Sequence, residues 1–147
     1  MIRAVIDTNI LIRALIKPQG SVGAVIAALR SHSFELVVSW PLLEELMATV
    51  ARPRIQGKYG LTDQDISDFV TFLILRSRLV EPARAISACR DSKDNMVLEA
   101  AVAGQAQFIV TGDEDLLVQH PFEGISIVPA GSFLARLSQA TAGASGD

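Results

Sequence analysis

Five short, mostly apolar runs occur along this chain of 147 residues, and a segment long enough for a helix separates most of them from the next run. They cover residues 2–6, 34–38, 79–82, 108–111 and 125–128. Apolar runs of this length, bounded by polar or turn residues, indicate strands that are buried on both faces. Strands that alternate with helices predict an α/β fold with a mostly parallel central sheet, covered by helices on both sides.

Helix signals fill the segments between these strands. Helices are predicted up to Leu15, over residues 21–30, 41–51, 62–76 and 92–103, in a short stretch near Asp113, and over residues 132–137. Residues 52–60 contain proline, two glycines and several charged side chains, so they are predicted to form a loop. Residues 1–138 are therefore predicted to be one domain. Residues 139–147 lack large apolar side chains and are predicted to be a flexible tail.

Composition limits the classes of function. The net charge is −3 and the pI is about 5.3, which excludes a strongly basic nucleic-acid module. A role with nucleic acid would need a local basic patch or a metal ion that offsets repulsion from phosphate. Cys89 is the single cysteine, so the chain can form neither an internal disulfide nor a zinc cluster of cysteines.

The apolar N-terminal segment raises the question of a signal peptide or a membrane span. Asp7 and Asn9 interrupt this segment, and no cleavage site of small residues follows it. No uninterrupted apolar run is long enough to cross a bilayer. We therefore expect a cytoplasmic protein that does not associate with a membrane.

Acidic residues recur near the ends of the predicted strands. Each stands directly after a strand or in the first turns of a neighbouring helix: Asp7, Glu44, Glu45, Asp91, Asp94, Asp113 and Asp115. Ligands of parallel sheets bind beyond the carboxyl ends of the strands. Carboxylates that converge there would repel one another unless a cation lay between them, and oxygen ligands suit Mg²⁺ or Mn²⁺ rather than zinc.

Each of these residues also has an ordinary structural interpretation. Asp7, Asp91 and Asp113 are suitable N-caps, and Asp94 would complement a helix dipole. The two glutamates could form a solvated helix face. Asn9 is either a hydrogen-bond partner of Asp7 or a tolerated residue of the first turn, and Thr111 either orients a carboxylate or satisfies a local backbone group. Only convergence of the carboxylates would favour a metal site.

Four motifs now point to a known family. They are VIDTN at residues 5–9, SWPLLEEL at 39–46, RDSKDN at 90–95 with LEAA at 98–101, and IVTGDEDLL at 109–117. In this order they resemble the motifs of PIN domains. The chain looks most similar to the bacterial and archaeal PIN proteins that act as toxins of toxin–antitoxin pairs, the VapC group.

The resemblance carries several expectations. It implies a parallel α/β/α sandwich, RNA cleavage that depends on Mg²⁺ or Mn²⁺, an antitoxin partner and a homodimer. It also implies that Asp7, Glu45, Asp94 and Asp113 are catalytic metal ligands, with Asp115 as a further ligand. Glu45 is preferred to Glu44 because the acidic residue of the family motif stands directly before leucine, as Glu45 does before Leu46.

RNA binding would need positive charge outside the carboxylate cluster. Arg52, Arg54 and Lys58 form a basic segment beside Tyr59, whose ring could stack on an unpaired base. The alternative interpretation of this segment is an ordinary solvated loop.

Two other functions remain possible at this stage. A phosphatase of the haloacid-dehalogenase type also uses an aspartate after its first strand and a late acidic pair, here GDEDL at residues 112–116. Such enzymes resemble one another in a second aspartate two residues after the first, where this chain has Asn9. A PIN-like module that binds RNA or protein without catalysis is the other alternative, and the intact acidic set argues against it.

Overall fold

All five predicted strands are present, and together they form one parallel sheet. The computed structural model describes residues 1–145, with side-chain surroundings for residues 1–140. The strands are β1 (Arg3–Ile6), β2 (Glu35–Ser39), β3 (Ser77–Val80), β4 (Phe108–Val110) and β5 (Ser126–Val128). Their order across the sheet is β3-β2-β1-β4-β5, and every neighbouring pair is parallel. The chain thus changes direction across the sheet between β1 and β4, which is where open α/β sheets form a crevice for ligands.

Eight helices occur in the described part of the chain. They are α1 (Thr8–Ile16), α2 (Gly20–Arg30), α3 (Trp40–Val50), α4 (Pro53–Tyr59), α5 (Asp63–Leu75), α6 (Ser92–Ala103), α7 (Glu114–Leu117) and α8 (Ala130–Ser145). No single described helix is long and apolar enough to cross a membrane, and the bent pair α1–α2 meets that criterion only by its combined length and composition.

Helices cover both faces of the sheet, as the sequence predicts. Alternate residues of the central strands enter two separate apolar clusters. Ile6 and Val110 pack with α1, α2 and α8 on one face, whereas Val5 and Ile109 pack with α6 on the other. Because side chains of a strand alternate in direction, this division confirms the three-layer α/β/α sandwich.

The predicted loop over residues 52–60 is wrong, because most of it is the helix α4. Pro53 occupies the first helical turn, where its missing N–H costs nothing, and Gly60 ends the helix in the left-handed conformation with φ 61°. Proline and glycine therefore mark the two ends of this helix instead of a loop. The consequence is that the basic residues of this segment are carried on a helix that follows α3 directly.

The C-terminal boundary also differs from the prediction. The last helix is predicted to end at Leu137, but α8 continues to Ser145. Residues 138–145 contain three alanines and no proline, and alanine has the highest intrinsic helix propensity. The flexible tail at residues 139–147 stays a prediction, and residues 146–147 lie outside the described residues.

Candidate metal centre

Asp7 ends β1 at the point where the crevice opens. Its N–H donates to the Val110 carbonyl at 2.9 Å, which extends the pairing of β1 with β4, and its side chain caps α1 through a 3.4 Å bond from the Asn9 N–H. The Thr111 hydroxyl donates to Asp7 Oδ2 at 2.7 Å and accepts a hydrogen bond from the Asp113 N–H at 3.0 Å. Both interpretations of Thr111 therefore hold, because it orients one carboxylate and satisfies the backbone of another acidic residue.

Asp94 lies in the first turn of α6 and is 8% exposed. Asp91 caps this helix by accepting a hydrogen bond from the Lys93 N–H at 2.9 Å. The loop before the helix is held by Asn95, whose amide accepts from the Cys89 N–H at 2.8 Å and donates to the Cys89 carbonyl at 3.0 Å. These bonds fix the start of α6, and with it the position of Asp94, against the ends of the strands.

The two glutamates of α3 have different surroundings. Glu44 is exposed, whereas the Glu45 side chain is only 18% exposed. Glu45 Oε1 lies 3.9 Å from Lys93 Nζ on α6. Its other oxygen, Oε2, is buried and has no hydrogen-bond partner among the residues that the structure describes. A buried carboxylate oxygen without a donor is unfavourable, and a bound cation would remove that cost.

These carboxylates border one cavity of about 240 Å³ beyond the ends of β1 and β4. It is lined by Asp7, Thr8, Asn9, Glu45, Thr49, Arg52, Asp91, Lys93, Asp94 and Asp113. All four residues that the family resemblance implies as catalytic ligands thus meet in one place. The acidic side chains of this lining offer carboxylate oxygens as metal ligands, and hard divalent cations prefer oxygen ligands.

Asp115 lies beside this cavity. One carboxylate oxygen from each of Asp94, Asp113 and Asp115 falls within 4.8 Å of the others, which could accommodate a metal ion. Asp115 is the most exposed of the three, with 47% of its side chain accessible, and it also contacts Arg90 Nη2 at 3.2 Å. Asp113 Oδ1 accepts the Asp115 N–H at 2.9 Å, so the two carboxylates after β4 are positioned together.

Burial and mutual repulsion raise the pKa values of the central carboxylates. The pKa of Asp94 rises from 3.8 to about 6, first because of burial and then because of Asp113 and other acidic neighbours. Burial also raises the pKa of Asp7, although the hydrogen bond from Thr111 opposes that rise. The pKa of Glu45 is raised by burial and lowered in part by Lys93. Without a cation, the cluster therefore destabilises its own charged state.

We expect Asp94→Asn to stabilise the metal-free protein near pH 8. Because the pKa of Asp94 is raised on folding, its charge opposes folding fully above about pH 6, and this penalty disappears as the pH falls toward 3.8. The variant should gain up to about 3 kcal/mol near pH 8 and almost nothing near pH 4. Urea unfolding in EDTA at both pH values measures this difference.

Asp68→Asn is the matched control, since Asp68 is exposed on α5 and accepts a hydrogen bond only from Gln64 of the same helix among the described residues. It should change stability by less than about 0.5 kcal/mol at either pH. A clear loss of stability in metal-free Asp94→Asn near pH 8 would contradict the prediction and give Asp94 a structural role.

The other residues that the sequence singled out fall into two groups, those at the cavity and those away from it. Asn9 lines the cavity and Thr111 lies behind it, whereas Glu44 points to solvent. Arg52, which precedes α4, lines the cavity, whereas Arg54 and Lys58 are exposed on α4 and do not line it.

Sequence reasoning assigned Asp91 no more than a possible place in the cluster and gave Lys93 no role. Asp91 is an N-cap, as its ordinary interpretation predicts, yet it also lines the cavity. Lys93 directly precedes Asp94 and approaches Glu45. A lysine in the first turn of a helix has no sequence pattern that separates it from a solvated side chain, so only the packing of α6 against α3 reveals it.

Comparison with known proteins identifies the family of this chain and two structures with the same fold. A family model described as PIN domain matches residues 3–115. An uncharacterized protein of Methanocaldococcus jannaschii, MJ1680, is 31% identical over 116 residues, which cover 79% of this chain and 74% of that protein.

Two solved structures share the fold. VapBC2 of Rickettsia felis, bound to a DNA fragment from its promoter, superposes with a TM-score of 0.58 and 14% identity over 86% of this chain and 97% of that one. FitAcB of Neisseria gonorrhoeae superposes with a TM-score of 0.53 and 16% identity over 87% of this chain and 98% of that one. The matched family model runs from β1 to the carboxylates after β4, and this chain belongs to the PIN domain family.

Proposed function

We propose that this protein is a divalent-metal-dependent endoribonuclease. The main support is the cavity of about 240 Å³ in which Asp7, Glu45, Asp94 and Asp113 meet and Glu45 Oε2 is buried without a partner. Membership of the PIN domain family supports a nuclease, and the raised pKa of Asp94 fits a carboxylate that needs a cation beside it.

The four carboxylates would hold Mg²⁺ or Mn²⁺, with Asp115 as an additional ligand. When bound, such an ion lowers the pKa of a water molecule and offsets charge on the phosphate. The protein supplies the position of these groups. Thr111 holds Asp7 and Asp113 together through its hydroxyl, and the fixed start of α6 presents Asp94 to the same space. No histidine lines the cavity within the described residues, so acid–base chemistry by histidine is not part of this proposal.

The helix α4 is the proposed RNA-binding surface. Arg52, Arg54 and Lys58 give this surface local positive charge in a chain whose net charge is −3. Tyr59 is 39% exposed, and Lys58 Nζ lies 5.3 Å from the centre of its ring. An exposed ring beside cations suits a base of single-stranded RNA, because bases stack on aromatic faces while phosphates bind the cations.

The proposed biological role is that of the toxin in a toxin–antitoxin pair. Support comes from the fold, which VapBC2 and FitAcB share, and a VapC-like toxin would be inhibited by an antitoxin that covers this cavity. A homodimer and a cytoplasmic location stay predictions from the family resemblance and the composition.

Removal of divalent ions should abolish RNA cleavage. We expect purified protein to cut single-stranded RNA in the presence of Mn²⁺ or Mg²⁺ and to lose this activity completely in EDTA, because the carboxylates alone cannot offset phosphate charge. Gel analysis of labelled RNA gives the measurement, and excess Mn²⁺ should restore cleavage. Activity that persists unchanged in EDTA would refute the metal-dependent mechanism.

The same experiment separates the two alternative functions. RNA that binds in Mn²⁺ but stays intact would favour a module that has lost catalysis. Release of phosphate from small phosphomonoesters, without RNA cleavage, would favour a phosphatase, although the match to the PIN domain family argues against that activity.

A further inference from the structure

Two basic residues, Lys93 and Arg52, line the carboxylate cavity, and the partners of their side chains differ. Lys93 Nζ lies 3.9 Å from Glu45 Oε1, so its charge is directed in part at a carboxylate of the site. The Arg52 side chain makes no hydrogen bond or ion pair anywhere in the described part of the chain. The guanidinium group of Arg52 is therefore available for a ligand that the protein itself does not supply.

The backbone of Arg52 is fixed at the corner between α3 and α4. Its N–H donates to the Thr49 carbonyl at 3.3 Å, and its carbonyl accepts from the N–H groups of Ile55 and Gln56 at 2.9 and 3.0 Å. Arg52 is the N-cap of α4, but its side chain makes no capping hydrogen bond. Since α3 also carries Glu45, this corner keeps Arg52 at a constant place relative to the cavity, and replacing its side chain leaves these backbone bonds intact.

A phosphate that enters this cavity meets five carboxylates, namely Asp7, Glu45, Asp91, Asp94 and Asp113. Repulsion from these groups rises further during cleavage, because negative charge builds up on the phosphate oxygens. An arginine suits this situation, since its planar group donates two parallel hydrogen bonds to phosphate and remains charged at every physiological pH. Arg54 and Lys58 do not line the cavity, so they are not placed to meet the same phosphate.

We propose that Arg52 binds the phosphate that is cut, whereas Arg54 and Lys58 bind phosphates farther along the RNA. This assignment rests on the proposed ribonuclease function. Arg52 exchanges no proton and forms no covalent bond in this role; its two hydrogen bonds strengthen as charge develops on the phosphate. It should therefore affect the rate of cleavage, and the cations farther along α4 should affect mainly RNA affinity.

Four variants test this division: Arg52→Gln, Arg52→Lys, Lys58→Gln and the control Arg78→Gln. Arg78 is exposed on the edge strand β3 and does not line the cavity, so the control removes an equal charge from a distant place. For each protein we would measure kcat and KM on a short single-stranded RNA in saturating Mn²⁺, Mn²⁺ affinity by calorimetry without RNA, and the melting temperature.

Arg52→Gln should lower kcat by about 100-fold, and Arg52→Lys by about 10-fold because charge remains but the paired donors do not. Mn²⁺ affinity and melting temperature should stay at their wild-type values in both variants. Lys58→Gln should mainly raise KM, by roughly 3-fold, and lower the salt dependence of kcat/KM. Arg78→Gln should match the wild type in every measurement.

A wild-type kcat in Arg52→Gln would overturn the assignment. So would a loss of kcat that is accompanied by weaker Mn²⁺ binding or a lower melting temperature, since Arg52 would then support the metal site or the fold. If all proteins, including the wild type, leave RNA intact, the ribonuclease function itself is wrong. Fluorescence anisotropy with the intact RNA in Mn²⁺ then decides about Arg52, and equal affinities of wild type and Arg52→Gln would overturn its role as a phosphate ligand.

Discussion

Asp94→Asn should reduce RNA cleavage by at least about 100-fold while the protein remains folded. Loss of a residue that merely orients a metal ligand costs about 10- to 100-fold in metal affinity or activity, so loss of a ligand should cost at least as much. Asparagine keeps the size of the side chain but removes the charge that attracts the cation. The fold should persist, because burial and acidic neighbours raise the pKa of Asp94 to about 6. The charge that the substitution removes is therefore unfavourable in the folded, metal-free protein.

Initial rates at saturating Mn²⁺, measured beside Asp68→Asn, provide the test of this loss of activity. The control removes an exposed carboxylate of α5 and should retain full activity. Near-wild-type cleavage by Asp94→Asn would exclude Asp94 from the reaction. The metal site would then be assigned to the remaining carboxylates.

Bacterial growth offers a second readout for the same variant. If the protein acts as a toxin, its expression without an antitoxin should slow growth, and Asp94→Asn should relieve that effect because RNA is no longer cut. Equal toxicity of the two proteins would separate any growth defect from the metal site and count against the proposed toxin role.

The sheet could be predicted because its determinants are local. Strands that are buried on both faces are apolar, and residues 4–6 and 108–110 show this plainly before Asp7 and Thr111 end the two runs. The parallel order then brings the ends of β1 and β4 together, and Asp7 and Asp113 with them. Convergence of these two carboxylates thus follows from topology.

Other features depend on packing that a linear pattern does not contain. The proline and glycines of residues 52–60 predicted a loop, but these residue types are also common at helix ends. Here Pro53 begins the helix α4 and Gly60 ends it. The ion pair between Lys93 and Glu45 arises only because α6 packs beside α3. Arg52 lines the cavity because α4 follows α3 after a corner of only two residues, Ala51 and Arg52, and a flexible loop would not have fixed its position.

Helical periodicity alone could not separate Glu44 from Glu45. With about 100° per residue, both glutamates lie roughly 130° from the centre of the core stripe, one on each side, and that stripe consists of Leu42, Leu43, Leu46, Met47 and Val50. The roll of α3 makes the difference: Glu45 faces the cavity with one orphaned oxygen, and Glu44 faces solvent. This placement agrees with the choice made from the family motif, although the role of Glu45 as a ligand stays a prediction.

Glu45→Gln should therefore impair cleavage far more than Glu44→Gln. The amide has nearly the same shape as the carboxylate but lacks its charge, so the cation would lose one anionic ligand while the packing of α3 is preserved. We expect a loss of about 100-fold at limiting Mn²⁺ and a smaller loss at saturating Mn²⁺, because excess metal compensates for weaker binding. Glu44→Gln, the matched control on the next residue, should stay within about 2-fold of the wild type under both conditions. Cleavage rates over a Mn²⁺ titration give the comparison. The opposite pattern would assign the ligand to Glu44 and require α3 to roll toward the cavity, and two silent substitutions would remove this helix from the metal site.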